Sequence, residues 1–346
     1  MNKWMNSLQL PPLGNGHVGV FDGWRGIAVS LVLISHFCNV KAFYIGSMGV
    51  NLFFALSGLL MARILFVKRT PLSIFYQRRL SRVFPVFLIF VLLIYGWGAF
   101  RGSQEAENFW ATLTFLRSYF GDIHIWKTDL PIGHLWSLNV EEHAYILLSL
   151  LTLFIRNIKV AGAALMSIGL LSIGIDLYYI INVESLSELY PSLSRQTEAN
   201  LAYIMLSGGY AINKPRLHQS LAWLPLATIA AGIYCYSDSA HWAAKDAVAP
   251  FLFAFSIVHL TDSYKWFQHC LCWTPLRLIG LWSFSLYIWQ QPLYAYVGAQ
   301  GYPTHLVIAG LLMTFTTAWF SFYVVENPIR LKINTYFSKK NKNTQN

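Results

Sequence analysis

Residues 68–100 read KRTPLSIFYQRRLSR and then VFPVFLIFVLLIYGWGAF. The first part carries Lys68, Arg69, Arg78, Arg79 and Arg82 and no acid, and the second carries no charge over eighteen residues. An uncharged apolar run of that length is what a ~30 Å hydrocarbon layer demands of a spanning helix. A basic cluster at its edge marks a segment held on the cytoplasmic side. Together they predict a membrane protein and orient it at one point.

The rest of the chain agrees. Of 346 residues 55% are hydrophobic, 16% aromatic and only 12% charged, about half the charge of an average soluble protein. The formal charge of +10 would suggest nucleic acid if it lay on a soluble surface. Here the basic residues fall in short clusters between apolar runs, so membrane lipid and not nucleic acid is the expected partner. The first 24 residues hold no apolar run of the signal-peptide kind, so none is expected. Cys38 and Cys235 lie in apolar runs, and Cys270-Leu271-Cys272 with His269 has no second pair at zinc spacing. Neither a disulfide framework nor a metal site follows.

The fold class is therefore all-α, a polytopic bundle of about ten transmembrane helices. The spans are expected near 26–45, 49–67, 83–100, 142–156, 160–181, 199–213, 220–236, 246–260, 277–297 and 304–325. Residues 109–120 are apolar but short, and read as interfacial or re-entrant. Charge decides that point. With ten spans, Lys68–Arg82, Arg156/Lys159, Lys214/Arg216 and the tail with Arg330, Lys332, Lys339, Lys340 and Lys342 all face the cytoplasm, and Glu184, Glu188 and Glu198 face outward. The expected layout is N-in and C-in: a cytoplasmic segment 1–24, a transmembrane domain 25–330 and a basic, frayed tail 331–346.

Several polar residues stand where apolar ones are expected. Arg25, in Asp22-Gly23-Trp24-Arg25-Gly26, is eleven residues before His36. That spacing is three turns plus about 20°, so both project from one helix face with a rise of about 16 Å. It puts Arg25 at the inner interface and His36 near mid-membrane. The plain alternatives are a snorkelling arginine and a satisfied core histidine, but an ionisable residue inside a membrane is a functional candidate by default. Glu141 and Glu142 follow Trp136 and Ser137 and precede Tyr145. They match either a helix N-terminal dipole or, for Glu141, a carboxylate that orients a histidine or binds sugar hydroxyls. The arginines of 78–82 serve topology and lipid contact, or clamp phosphates, with Arg63 and Lys68 placed to join them. Gly49–Gly58 permits close helix packing and includes Asn51 and Ser57. Ser285, Tyr287 and Gln290 precede Pro292, and a Gln-Gln-Pro inside a helix needs neighbours that satisfy the freed backbone groups. Glu326-Asn327-Pro328-Ile329-Arg330 reads as a helix stop with a local ion pair. Gly14-Asn15-Gly16-His17-Val18-Gly19 matches a dinucleotide-loop pattern but has no βαβ unit around it.

Taken in order, these segments resemble the acyltransferase-3 family, bacterial membrane acyltransferases that modify surface polysaccharides, lipids and small glycosides. Asp22–Gly26 with His36 is similar to the family's Arg-x10-His signature, and Gly49–Gly58 to its G-V-[DN]-L-F-F-x-L-S-G run. Arg78–Pro85 is similar to R-R-x-x-R-[IV]-x-P, Trp136–Tyr145 to W-S-L-x-V-E-E-Q-F-Y, Ser283–Leu293 to S-Y-S-L-Y-L-W-H-x-P-L, and Glu326–Arg330 to E-x-P-x-R.

The resemblance implies ten core helices, an acyl-CoA co-substrate (acetyl-CoA by analogy) on the cytoplasmic side, no bound cofactor, and a hydroxyl acceptor on a polysaccharide, lipopolysaccharide or lipid-linked sugar. The membrane implied is the bacterial inner one. Carried over, it makes His36 the general base or acyl carrier, Arg25 its partner, Glu141 an active-site acid, and Arg79 and Arg82 donor or structural arginines. Gln290 stands where the family often has His, His143 where Gln is usual, and Asn51 where Asp is frequent. An extracytoplasmic esterase-like domain, which some members carry, is not expected here, so the chain either completes transfer itself or passes the acyl group on. The competing readings are a non-catalytic or transport component of a polysaccharide assembly machinery. Gln290 is the best argument for the first, and the Arg-x10-His spacing counts against the second.

Overall fold

The computed structural model describes residues 17–40, 44–103, 108–120, 129–182 and 193–343. Part of the N-terminal segment and the acidic positions Glu184 and Glu188 lie outside that set. The described residues are all-helical. The longer elements are α1 (His17–Phe37), α2 (Ile45–Ala62, continued by a π-helical segment Arg63–Val67), α3 (Leu72–Phe100), the short α4 (Phe109–Leu113), α5 (Leu135–Phe154) and α6 (Ile158–Ile181). They are followed by α7 (Thr197–Asn200), α8 (Ala202–Ile212), α9 (Leu224–Tyr234), α10 (Ala249–Val258), α11 (Lys265–Leu271) and α12 (Thr274–Leu281). The chain closes with α13 (Ser283–Ala299), α14 (Thr304–Phe320, continued by a π-helical segment Ser321–Glu326) and α15 (Asn327–Asn343).

Among the described residues, five segments are long and apolar enough to cross a membrane: Gly19–Phe37, Ile45–Val67, Leu72–Phe100, Ile158–Ile181 and Thr304–Phe337. With the family assignment below, they make the chain a multi-pass membrane protein. Helices also stand where the other five spans are expected, though α8, α9 and α10 have only 11, 11 and 10 residues. The core is built on α1, α2 and α8, packed in that order. Helix α12 lies against α1, and α6 and α10 lie against α8. Gly58 is what lets α2 and α8 approach, since a Cβ there would lie 2.0 Å from the Ile204 carbonyl oxygen. On the other side α3 runs beside α15, and α13 packs on α1 and α14.

Local chemistry explains the boundaries and several departures from expectation. Helix α1 starts at His17, well before residue 26, and ends because Asn39 adopts φ 48, a left-handed stop that asparagine tolerates. Arg25 therefore sits well inside the helix and His36 in its last turn, not at mid-span. Helix α3 begins right after Pro71, which fixes its start, and arginine is a good helix former. The basic stretch 72–82 is thus helix, not loop. Helix α5 starts at Leu135, so Glu141 and Glu142 are past its first turn and the dipole reading does not apply. Asn157 caps α6 by accepting from Lys159 N at 2.9 Å and Val160 N at 3.4 Å. The span expected at 277–297 is broken between α12 and α13 at Trp282. The tail expected to fray continues as α15 to Asn343.

Candidate active site

Two chambers open inside the bundle. The inner one, about 110 Å³, is lined by Arg25, Ser57, Arg79, Arg82, Glu141 and Tyr145 among others. The outer one, about 720 Å³, is lined by His36, Gly46, His134, Trp136, Arg195 and Tyr294 among others. Val50 and Tyr287 line both. The same helix α1 thus presents Arg25 to one chamber and His36 to the other, separated by about 16 Å of helical rise.

In the inner chamber Arg79 is fully engaged. Its Nη2 donates to Glu141 Oε2 at 2.9 Å and its Nε to Glu142 Oε1 at 2.9 Å. Its guanidinium lies 4.1 Å from the centre of the Tyr145 ring. Ser57 donates to the other Glu141 oxygen at 2.7 Å. Arginine can serve two carboxylates at once because its donors form a planar fork. Arg82 lines the same chamber and, among the described residues, makes no hydrogen bond or ion pair. Arg25 sits 3.7 Å from Asp22, whose second oxygen is 4.0 Å from Arg277. Arg63, Lys68 and Arg78 do not line the chamber; Lys68 and Arg78 are exposed.

In the outer chamber the resemblance would pair His36 with Arg25, but its hydrogen bond is to Gln290, Nδ1 to Oε1 at 3.0 Å. Tyr294 stacks on the His36 ring at 4.3 Å and 24°. Trp136 lies under the Arg195 guanidinium at 4.5 Å. Tyr287, at the junction, donates to the His134 carbonyl at 2.9 Å, while Ser137 Oγ is 2.6 Å from its hydroxyl. The His134 N–H in turn donates to Gln291 Oε1 at 2.7 Å.

Of the other expected site residues, Asp22, Glu142 and Gln290 do not line a chamber themselves but contact Arg25, Arg79 and His36, which do, and Asn51 and Ser285 lie apart from both. Asn51 donates to the Tyr236 hydroxyl at 2.7 Å, which meets Tyr203 at 2.6 Å. Ser285 donates to Glu326 Oε2 at 3.0 Å. Glu326 is buried and forms no ion pair with Arg330, which donates to Asn327 instead. The local ion pair expected there is replaced by a contact between helices, because the π-helical segment turns Glu326 into the bundle.

Tyr294 and Arg277 escaped the sequence reading. Tyr294 had a usable signal, since it lies four residues after Gln290 on one helix and so on one face. Arg277, buried against Asp22 on α1, had none, because nothing local connects α12 to α1.

Residues 18–326 match the acyltransferase domain of the acyltransferase-3 family. The O-acetyltransferase OatA of Staphylococcus aureus strain NCTC 8325 is 26% identical over 351 residues, covering 90% of this chain and 57% of the relative. The peptidoglycan O-acetyltransferase OatA of Listeria monocytogenes serovar 1/2a is 25% identical over 372 residues, with 94% and 58% covered. A putative O-acetyltransferase of S. aureus strain COL is 23% identical over 346 residues, with 89% and 56% covered. The chain spans a little over half the length of these curated relatives. No solved structure matches it. The family match covers most of the chain and contains both chambers, so this protein belongs to the acyltransferase-3 family.

Proposed function

We propose that the protein moves an acetyl group from acetyl-CoA, bound on the cytoplasmic side, to a hydroxyl of a cell-surface glycan. The observation that carries this reading is the pair of chambers meeting at Val50 and Tyr287, cationic on one side and holding His36 on the other. The relatives' names support acetyl as the group and glycan as the acceptor.

Contacts between distant segments support a ten-crossing, N-in and C-in layout in a bacterial cytoplasmic membrane. Arg69 donates to the Arg156 carbonyl at 2.5 Å, Gln77 to Asn334 at 3.4 Å, and Lys214 pairs with Asp262 at 2.6 Å. All three join segments that this layout puts inside. Tyr119 donates to Glu198 at 2.6 Å, joining two that it puts outside.

In the proposed reaction the phosphates of CoA stay with the inner cations and the thioester reaches the junction. His36 takes the proton of the acceptor hydroxyl as its oxygen attacks the thioester carbon. The C–S bond then breaks, and the His36 proton goes to the departing thiolate. General-base help of this kind supplies about 10²–10⁴-fold. Glu141, with both oxygens already bonded, positions Ser57 and Arg79 and does not act as the base.

The test is surface-glycan O-acetylation by mass spectrometry in a deletion strain carrying wild type or His36→Ala at matched protein level. Acetylation restored by wild type alone is expected. Equal restoration by both would remove His36 from the chemistry.

A further inference from the structure

Gln290 is buried completely and stands 254 positions from His36 in sequence, yet its side chain makes the hydrogen bond that His36 has. With the amide oriented as in this structure, Oε1 accepts and Nδ1 of His36 carries the ring proton, while the amide's own Nε2 is buried with no hydrogen-bond partner among the described residues. A neutral imidazole protonated at Nδ1 has its lone pair on Nε2. That atom faces the outer chamber beside Gly46, where an added Cβ would lie 3.9 Å from it. Gly46 lines the same chamber. The Tyr294 stack fixes the ring plane, so the hydrogen bond and the stack leave the imidazole little freedom to turn. Both partners come from one face of α13, where Gln290 and Tyr294 are four residues apart.

We infer that Gln290 is a positioning residue that holds His36 in the Nδ1-protonated tautomer and aims the Nε2 lone pair at the acceptor hydroxyl. This deepens the proposed function and rests on it for the role of Nε2; the tautomer itself does not depend on activity. A neutral amide does this without the charge that a carboxylate would place beside the ring. A histidine at position 290 would itself titrate, whereas glutamine does not, and in the orientation found here it presents its carbonyl oxygen to His36. The departure from the family's usual residue therefore leaves this chain with one titrating ring at that contact. The other titratable groups of the chamber are His134, Arg195, Asp238 and the phenols of Tyr44, Tyr287, Tyr294 and Tyr302.

The experiment uses the full chain in lipid nanodiscs and has two readouts. The first is ¹⁵N NMR of labelled histidine, with His36 assigned by its loss in His36→Ala. An Nδ1-protonated His36 is expected in wild type and in Gln290→Glu, and a mixture of tautomers in Gln290→Leu. An Nε2-protonated His36 in wild type would mean that the amide is turned the other way and would overturn the inference. The second is the pH profile of acetyl transfer to purified surface glycan. Gln290→Leu is expected to lower kcat on the order of 10- to 100-fold with KM for acetyl-CoA unchanged. Gln290→Glu is expected to keep the high-pH rate but move the acid limb up by about 1–2 pH units, because a carboxylate favours the imidazolium. Wild-type kinetics and an unmoved acid limb in both variants, with His36→Ala inactive, would overturn the inference alone. His36→Ala as active as wild type would overturn the proposed function and leave the NMR result standing.

Discussion

Ser57 on α2 donates its hydroxyl hydrogen to Glu141 Oε1 on α5 over 2.7 Å, while Arg79 holds the other oxygen of the same carboxylate at 2.9 Å. This carboxylate is a joint between three helices. Removing its cation leaves Glu141 and Glu142 facing each other in a site where their side chains are only 18% and 16% exposed. Arg79→Ala is expected to cost about 3–5 kcal/mol, the range for breaking a buried pair, read as a large loss of thermal stability in detergent. Arg79→Lys is expected to recover little of it, because one ammonium cannot reproduce the fork or the stack on Tyr145. Ser57→Ala removes one hydrogen bond to a charged group and is expected to cost about 1.5–3 kcal/mol.

Arg82 points to a different outcome. It shares the chamber with Arg79 but, among the described residues, makes no hydrogen bond or ion pair, so its loss breaks no bonded contact and removes only its longer-range attraction for the buried Glu326 carboxyl. Arg82→Ala is expected to lose less thermal stability than Arg79→Ala and to raise KM for acetyl-CoA about 10- to 100-fold, the size of one charge-assisted hydrogen bond. The increase should shrink at high salt. Steady-state kinetics at two ionic strengths check this, and an unchanged KM would take Arg82 out of the donor site.

Gly58→Ala tests the packing that brings α2 to α8. The added carbon would stand 2.0 Å from the Ile204 carbonyl oxygen, a backbone atom that no rotamer change can move aside. A loss of at least about 1–3 kcal/mol is expected, seen as lower expression and an earlier thermal transition. A tolerated alanine would mean that the two helices pack further apart.

The turn after α10 carries a pH signature. Asp262 contacts Lys214 at 2.6 Å and His259 at 2.8 Å, and His259 meets the Tyr210 hydroxyl at 2.8 Å. Burial pushes the Asp262 carboxyl up, but the Lys214 ammonium and the His259 ring outweigh it and hold it below the usual carboxylate range. A group depressed in this way contributes stability above its unfolded value of about 3.9, and that stability is lost as pH falls through the lower folded value. Asp262→Asn is expected to be less stable than wild type at neutral pH by roughly 0.2–1 kcal/mol, since the pair is partly solvated. The gap should close below about pH 4. Thermal melts at the two pH values check it, and a gap independent of pH would assign the effect to packing.

Much of the bundle was legible because its determinants are local. Apolar runs and basic clusters, read residue by residue, put helices close to where they stand from Ile158 to Ile181 and from Thr304 to Phe320. Helix ends were less legible, since they depend on single residues such as Asn39 and Pro71 acting against their surroundings. Those ends moved Arg25 into the helix interior and His36 to its last turn. The site was legible as a set of polar residues but not as a geometry. Helical spacing places Arg25 and His36 on one side of α1, but it does not show that they line different chambers, both of which Val50 and Tyr287 also line. The His36–Gln290 bond joins residues 254 positions apart, and no periodicity in one sequence reports such a pair.

The proposed layout has an electrical consequence. If the two chambers that share Val50 and Tyr287 open to opposite sides of the membrane, as that layout has it, most of the membrane potential falls between them. Moving one elementary charge through it would involve about 2.3 kcal/mol per 100 mV. In the proposed reaction the phosphates remain beside Arg25 and Arg82, the acyl arm enters the boundary between the chambers uncharged, and it leaves as a neutral thiol once the thiolate has taken the His36 proton, so no net charge crosses. The crossing then does no electrical work, so a cell with a collapsed potential and one fully energised would acetylate at the same rate for the same supply of acetyl-CoA.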